Sequence, residues 1–131
     1  MLQSNNHSVF NLNYHLVLVI KYRKKLITKD IELFLKDTFT RLSPKYNITL
    51  TEIKADRDHL HILFSAHPNS SLTIFINTYK SSTSRLVKRL FPEIKQELWK
   101  SSFWTKSFCL LSAGGAPLLV ISKYIKQQGS K

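Results

Sequence analysis

The opening stretch of the chain changes from a strand pattern to a helix pattern. Residues 11–20 carry apolar or aromatic side chains at alternate positions, which predicts a strand that is buried on at least one face. An apolar stripe with helical spacing follows over about 29–43. Thr28 or Asp30 can cap this helix, and Pro44 ends it.

The remaining segments continue the alternation. Residues 47–55 and 59–66 are predicted to be two strands joined by a tight polar turn, and a second helix should run from Ser70 or Ser71 to about 90. The other predicted elements are a short helix at 93–98, a strand at 103–112 and a last helix at 117–128, with Gly114-Gly115 and Pro117 before that helix and Gly129 after it.

The predicted element order is β-α-β-β-α-β-α. Its first six elements match the split βαβ, ferredoxin-like (RRM-like) arrangement, in which helices cover one face of an antiparallel sheet. The fold class is therefore α+β, with an additional C-terminal helix. At 131 residues the chain is expected to form a single domain over 1–131.

Composition limits the class of protein. The hydrophobic fraction of 43% suits a globular domain rather than a disordered basic tail. With one cysteine, Cys109, the chain forms no internal disulfide, which favours a reducing compartment. The longest apolar run, residues 16–20, is too short to span a membrane, and residues 1–8 do not resemble a secretory signal. These features predict a soluble, cytoplasmic protein.

A formal net charge of +12 favours a polyanionic partner, although a charge run is often only a solvated surface. The basic residues cluster after the first strand and along the second helix. The predicted DNA-binding residues are Lys21, Arg23, Lys24, Lys25, Lys80, Arg85, Lys88 and Arg89.

His59 and His61 form the first candidate for chemistry. Residues i and i+2 of a strand point to one face, so the two imidazoles can grip one divalent ion and leave positions open for a phosphate oxygen. Leu60, Ile62 and Phe64 should point into the core. A His-x-His pair also occurs by chance, and no recognisable structural zinc spacing accompanies it.

The last helix supplies the second candidate. Tyr124 and Gln128 are separated by one helical turn and lie at one edge of the apolar stripe. Gln128 offers a neutral oxygen suited to Mg²⁺ or Mn²⁺, and Tyr124 offers a phenol that could attack phosphorus. The ordinary alternative is a tyrosine at the edge of the core with its hydroxyl in water.

Several short motifs occur in the order seen in one family. They are Tyr14-His15, Lys21-Tyr22-Arg23-Lys24-Lys25, Asp58-His59-Leu60-His61, Ser84-Arg85, Phe91-Pro92-Glu93, Leu98-Trp99, Ser102-Phe103-Trp104, Gly114-Gly115-Ala116-Pro117-Leu118 and Lys123-Tyr124-Ile125-Lys126-Gln127-Gln128. From about Tyr14 to Gln128 the chain resembles the small single-tyrosine HUH transposases of the insertion-sequence 200/605 family.

This resemblance implies metal-dependent cleavage and rejoining of single-stranded DNA at hairpin ends of a mobile element. His59, His61 and Gln128 would hold Mg²⁺ or Mn²⁺, and Tyr124 would form a 5′-phosphotyrosine. The family also implies a homodimer with joined sheets, in which one subunit's histidine pair works with the other subunit's tyrosine helix. Gly114-Gly115 would be the hinge of that helix.

The chain departs from the family pattern in one motif. The second helix usually carries Lys-Gly-x-Ser-Ser-Arg, whereas residues 80–85 here contain no glycine, so the DNA contacts expected there are in question. Two alternatives to a transposase remain: a non-catalytic module that binds single-stranded nucleic acid, and a domesticated relative that acts on repeated chromosomal elements.

Overall fold

The computed structural model describes residues 11–112 and 118–129, together with a two-strand ladder formed by β1 (Ser4–Asn5) and β2 (Ser8–Val9). The strands that follow are β3 (Leu12–Val19), β4 (Ile48–Ala55), β5 (His59–Ala66) and β6 (Cys109–Ser112). The helices are α1 (Lys29–Leu42), α2 (Leu72–Leu90), α3 (Pro92–Leu98) and α4 (Leu118–Gln128).

The main sheet has four strands in the order β4-β5-β3-β6, and each neighbouring pair is antiparallel. The strand β5 therefore lies between β3 and β4. In the split βαβ unit, β3 is the first strand, α1 is the helix and β4 is the second strand. This topology confirms the predicted ferredoxin-like α+β fold.

One face of the sheet is covered by α1 and α2. Alternate residues of the two central strands, among them Leu16 and Leu18 of β3 and Leu60 and Ile62 of β5, are fully buried there. They join one core cluster with aromatic residues of the two helices, including Phe39, Phe75 and Tyr79. The prediction that Leu60, Ile62 and Phe64 face the core is confirmed.

The opposite face of the sheet carries α4. Val17 and Val19, which alternate with the core residues of β3, form a second cluster with Ile121 of α4. Tyr124 and Ile125 pack against this cluster. The last helix therefore lies on the other side of the sheet from α1 and α2.

Local sequence explains most element ends. Thr28 caps α1 by accepting a hydrogen bond from the backbone N–H of Ile31 at 3.3 Å, so Thr28 rather than Asp30 is the capping residue. Gly129 comes directly after α4 and lies close to Arg23. A Cβ atom added at this glycine would be 2.7 Å from the Arg23 Cδ atom. The predicted Gly114-Gly115 break and Pro117 lie outside the described residues.

The predicted strand at 103–112 is wrong in its first half, because only Cys109–Ser112 is a strand. A single bridge, Ile20 to Trp104, marks the place where the segment first meets the sheet. The carbonyls of Thr105, Lys106 and Ser107 then turn away and accept hydrogen bonds from the Lys80 ammonium at 2.8, 2.9 and 3.0 Å. These three carbonyls are directed at a lysine of α2, and the ladder with β3 is formed only by residues 109–112.

None of the helices in the described part of the chain has the combination of length and apolar character needed to cross a bilayer.

Candidate active site

Strand register places His59 and His61 on the face that carries α4. His59 pairs with Val19 and His61 pairs with Val17, and directly paired residues of adjacent strands share a face. Both histidines are therefore on the side of the second cluster, away from the main core. The predicted side-by-side arrangement of the two imidazoles is confirmed, with their Nε2 atoms 2.9 Å apart.

A carboxylate completes a group of three possible metal ligands. The Asp56 Oδ2 atom lies 2.9 Å from His59 Nε2, and one ligand atom from each of Asp56, His59 and His61 falls within 4.8 Å of the other two. An octahedral ion with ligands about 2.1 Å away has neighbouring ligands about 3.0 Å apart, so the two 2.9 Å separations fit such an ion. Two nitrogens and one oxygen suit a hard or borderline divalent cation.

Sequence analysis assigned Asp56 only to a turn. The available signal was a carboxylate three positions before the first histidine, at the end of a predicted hairpin, but solvated turns commonly contain aspartate. Its approach to His59 depends on how the β4–β5 hairpin closes. The backbone N–H of Asp56 donates to the His59 carbonyl at 2.9 Å, which brings the two side chains together.

Asp58 orients the first histidine. Its Oδ1 atom is 2.7 Å from His59 Nδ1, and its Oδ2 atom accepts from Arg23 Nε at 3.1 Å. Burial would raise the pKa of Asp58, but its hydrogen bonds to His59 and Arg23 outweigh that effect and lower the pKa. The ionised carboxylate accepts a hydrogen bond from the Nδ1–H group of His59, which leaves Nε2 with a lone pair for a metal.

We expect Asp58→Asn to weaken Mn²⁺ binding about 10- to 100-fold, because the amide holds the His59 tautomer less firmly than the carboxylate does. Titration of Mn²⁺ followed by water-proton relaxation measures the affinity. Asp37→Asn is the matched control, since Asp37 forms an exposed ion pair with Arg41 on α1. Equal affinity in the Asp58 variant and the wild type would show that this carboxylate does not orient the ligand.

His15 supports the second histidine. His15 Nε2 lies 3.0 Å from His61 Nδ1, and the ring centroids are 5.2 Å apart. Burial, together with the charges of His59 and His15, lowers the pKa of His61 to about 4, and burial also lowers the pKa of His15. His61 is therefore a neutral imidazole at pH 7, the form that binds metal.

This lowered pKa predicts a pH-dependent stability of the metal-free protein. Between pH 6.5 and about 4 the unfolded chain protonates His61 while the folded chain does not, so the free energy of unfolding should fall as the pH falls through that window. The slope from one such group is at most about 1.4 kcal/mol per pH unit. Urea unfolding at pH 7 and pH 5 measures it, and His61→Gln should reduce the difference. An unchanged difference in that variant would contradict the assignment.

Tyr124 and Gln128 meet at a residue that sequence analysis did not identify. The Tyr124 hydroxyl lies 2.9 Å from Ser107 Oγ, and Ser107 Oγ donates to Gln128 Oε1 at 3.3 Å. Gln128 is only 3% exposed, so it is more deeply buried than its predicted place at the edge of the stripe. Burial raises the pKa of Tyr124, and hydrogen bonds to Ser107 and Thr105 oppose that rise without cancelling it.

The tyrosine end and the histidine end of this face are separate. Val17 pairs with His61 on one side and with Cys109 on the other, so β3 lies between the histidine strand and the segment that carries Ser107. Two strand spacings correspond to about 10 Å. None of the contacts found among the described residues joins Tyr124 or Gln128 to His59 or His61. Within one chain, His59 thus lies next to His61 and Tyr124 lies near Gln128, but the histidine pair and the Tyr124–Gln128 pair are apart.

The predicted DNA-binding residues divide into two groups. Lys80 and Lys88 bind backbone carbonyls, Arg23 binds Asp58, and Lys24 forms an exposed ion pair with Glu97. Burial lowers the pKa of Lys80 to about 8. Lys21 is partly buried beside the Tyr22 ring, whereas the side chains of Lys25, Arg85 and Arg89 are exposed.

Members of both groups line a cavity on α2. Arg85, Lys88 and Lys80 help to line an open cavity of about 630 Å³, which α2 forms with residues 102–106. The cavity is basic and includes the partly apolar wall of Trp104. DNA binding by these residues remains a prediction.

Two known transposases are similar in sequence to this chain over most of its length. The transposase ISDra2 TnpA of Deinococcus radiodurans is 28% identical over 123 residues, which are 94% of this chain and 88% of the relative. The transposase for insertion sequence element IS200 of Salmonella typhimurium is 25% identical over 122 residues, covering 93% and 80% of the two chains.

Solved structures show the same fold. A candidate transposase of Deinococcus radiodurans R1 superposes with a TM-score of 0.85 and 26% identity, over 96% of this chain and 97% of the other. A REP-associated tyrosine transposase bound to a REP hairpin superposes with a TM-score of 0.60 and 8% identity, over 95% and 68% of the two chains, which shows a shared fold. The family model "Transposase IS200 like" matches residues 8–128, and the chain belongs to that family.

Proposed function

We propose that this family member cleaves and rejoins single-stranded DNA through a covalent 5′-phosphotyrosine at Tyr124. The observation that carries the proposal is the convergence of His59, His61 and Asp56 on one point of the sheet face that also carries the tyrosine helix. A binding module has no need for converging metal ligands or for a phenol on the same face. Residues 1–131 are proposed to form one catalytic domain.

His59 and His61 would hold Mg²⁺ or Mn²⁺, with Asp56 as the third donor in the arrangement seen here and Gln128 as a ligand once α4 has moved. The ion would polarise the scissile phosphate and stabilise negative charge on its oxygens. Asp58 and His15 fix the ring orientations of the two histidines. Arg23, whose DNA binding stays a prediction, holds Asp58 and so would also support the metal ligands.

The chemical step is a transesterification. The Tyr124 oxygen attacks phosphorus, the bond from phosphorus to the 3′ oxygen breaks, and the phenol proton is transferred to that oxygen through solvent. The products are a 5′-phosphotyrosine and a free 3′-hydroxyl. A second 3′-hydroxyl can reverse these changes and join a new strand without a nucleotide cofactor, because the phosphotyrosine bond retains the energy of the broken phosphodiester.

The separation of the two pairs on one chain supports a homodimer or a movement of α4. In a homodimer, the tyrosine helix of one subunit would serve the histidine pair of the other, which removes the need to cross β3 within one chain. The proposed partner is single-stranded DNA that folds into small hairpins. The net charge of +12 and the exposed Arg85 and Arg89 suit this polyanion.

The experiment mixes the protein with labelled single-stranded oligonucleotides that contain the imperfect hairpins flanking its gene. We expect a product in which the label stays attached to the protein on a denaturing gel. This product should form with Mg²⁺ or Mn²⁺ and be absent when a chelator is added. Binding in a native gel without any attached product would favour the non-catalytic module. Attached product that forms equally well in chelator would contradict the metal-dependent mechanism.

A further inference from the structure

A small cavity is lined in part by Ser107, whose hydroxyl lies 2.9 Å from the Tyr124 hydroxyl. Its volume is about 290 Å³, and we name it the lysine pocket after two of its lining residues. The lining residues are Lys21, Thr105, Lys106, Ser107 and Gln128. Among these described residues there is no carboxylate, so the pocket has a net positive charge at neutral pH.

The chemistry of the lysine pocket suits a phosphate group. Two ammonium groups, two hydroxyls and a side-chain amide can all donate hydrogen bonds to phosphate oxygens. Lys21 is partly buried, with its Nζ atom 5.6 Å from the centroid of the Tyr22 ring, whereas Lys106 is exposed. A cation at the rim and another nearer the wall would contact an anion from two sides.

The wall of the pocket is held in shape from α2. Lys80 binds the carbonyls of Thr105, Lys106 and Ser107, which are three of the five lining residues. A backbone segment bound at three successive carbonyls has little freedom to change its course. The backbone positions that carry the two hydroxyls and the Lys106 side chain are therefore set before any ligand enters.

The position of the phenol connects the lysine pocket to the reaction. The Tyr124 oxygen is 2.9 Å from Ser107 Oγ, and Ser107 is part of the pocket wall. A phosphorus atom bonded to that oxygen would lie beside the same wall. The Ser107 hydroxyl could then donate a hydrogen bond to a phosphate oxygen in place of its present hydrogen bond to Gln128.

We propose that the lysine pocket holds the phosphoryl group of the 5′-phosphotyrosine while α4 occupies the position seen here. This inference depends on the proposed function, because it concerns the intermediate of that reaction. In this position the intermediate lies across β3 from the histidine pair of its own chain. The 3′-hydroxyl that has just been released at a histidine pair is then separated from the phosphotyrosine, so rejoining waits until the helix returns to a metal site.

The experiment measures the equilibrium between attached and intact DNA. Lys106→Gln removes one pocket cation, and Lys126→Gln removes an exposed cation from α4 that does not line the pocket. With saturating protein, Mg²⁺ and a labelled hairpin strand, the ratio of attached to intact DNA should fall about three- to tenfold in Lys106→Gln, as expected for one charge-assisted hydrogen bond at a partly exposed site. The ratio in Lys126→Gln should stay within about twofold of the wild-type ratio.

The initial rate of attachment distinguishes stabilisation of the phosphotyrosine from catalysis of its formation. Because the pocket acts after the bond has formed, that rate, measured with saturating protein, should change less than about twofold in Lys106→Gln. An unchanged ratio in Lys106→Gln, an equal fall in Lys126→Gln, or a fall in initial rate as large as the fall in ratio would each overturn the inference. If wild-type protein forms no attached product, the proposed function fails, and the inference fails with it.

Discussion

Tyr124→Phe is expected to reduce covalent attachment of single-stranded DNA to background while DNA binding persists. The substitution removes the only atom proposed to attack phosphorus, and the ring remains to pack against Val17, Val19 and Ile121. The lost hydrogen bond to Ser107 involves an exposed partner and contributes about 1 kcal/mol at most. The fold should therefore survive.

The measurement for this variant combines a denaturing gel for attached product with a native gel for binding. Tyr22→Phe is the matched control, since Tyr22 is 50% exposed and lies outside the second cluster, and it should form attached product at the wild-type rate. Attached product from Tyr124→Phe at more than a trace level would show that another residue is the nucleophile.

Replacement of either histidine should produce the second large effect. His59→Ala or His61→Ala removes one of three converging ligands, and a bound metal typically provides several kcal/mol of transition-state stabilisation. We expect cleavage to fall at least about a hundredfold, together with a loss of Mn²⁺ binding. DNA binding should change little, because the two side chains are proposed to bind the ion rather than the phosphate backbone.

His67→Ala provides the control for these variants. His67 follows β5 and lies next to Asn69, away from the metal ligands, so its replacement should leave cleavage and Mn²⁺ binding unchanged. The critical comparison is the metal titration. If His59→Ala and His61→Ala both bind Mn²⁺ as tightly as the wild type, the ion is held elsewhere and the assignment of this site is wrong.

The parts of the fold that follow local rules were predictable from the sequence. Alternation along β3 and β5 assigned both strands and the faces of their residues, and Thr28 with Pro44 gave the ends of the first helix. The segment 103–108 was predicted wrongly because its apolar residues fit a strand, while its carbonyls bind a lysine 25 to 27 positions earlier in the chain. That interaction depends on how α2 packs, which residue spacing does not reveal.

The sequence also predicted the parts of the candidate site that depend on local residue spacing. The spacing of His59 and His61 was sufficient to place two imidazoles on one face, whereas the contribution of Asp56 required the geometry of the hairpin. Tyr124 and Gln128 were correctly expected on one face of α4, but their shared contact with Ser107 depends on where α4 docks on the sheet. Their catalytic and metal-binding roles remain predictions.

The hydrogen bonds of Lys80 affect how a mutational survey of basic residues and DNA affinity should be interpreted. The Lys80 ammonium group binds three peptide carbonyls in the segment that contacts the Tyr124 hydroxyl, so a neutral substitution there would disturb the backbone as well as the surface potential. Weak activity in such a variant would imitate the loss of a phosphate contact. Salt dependence distinguishes the two causes: a missing phosphate contact reduces the slope of log affinity against log salt by about one, whereas a misshapen loop leaves that slope intact.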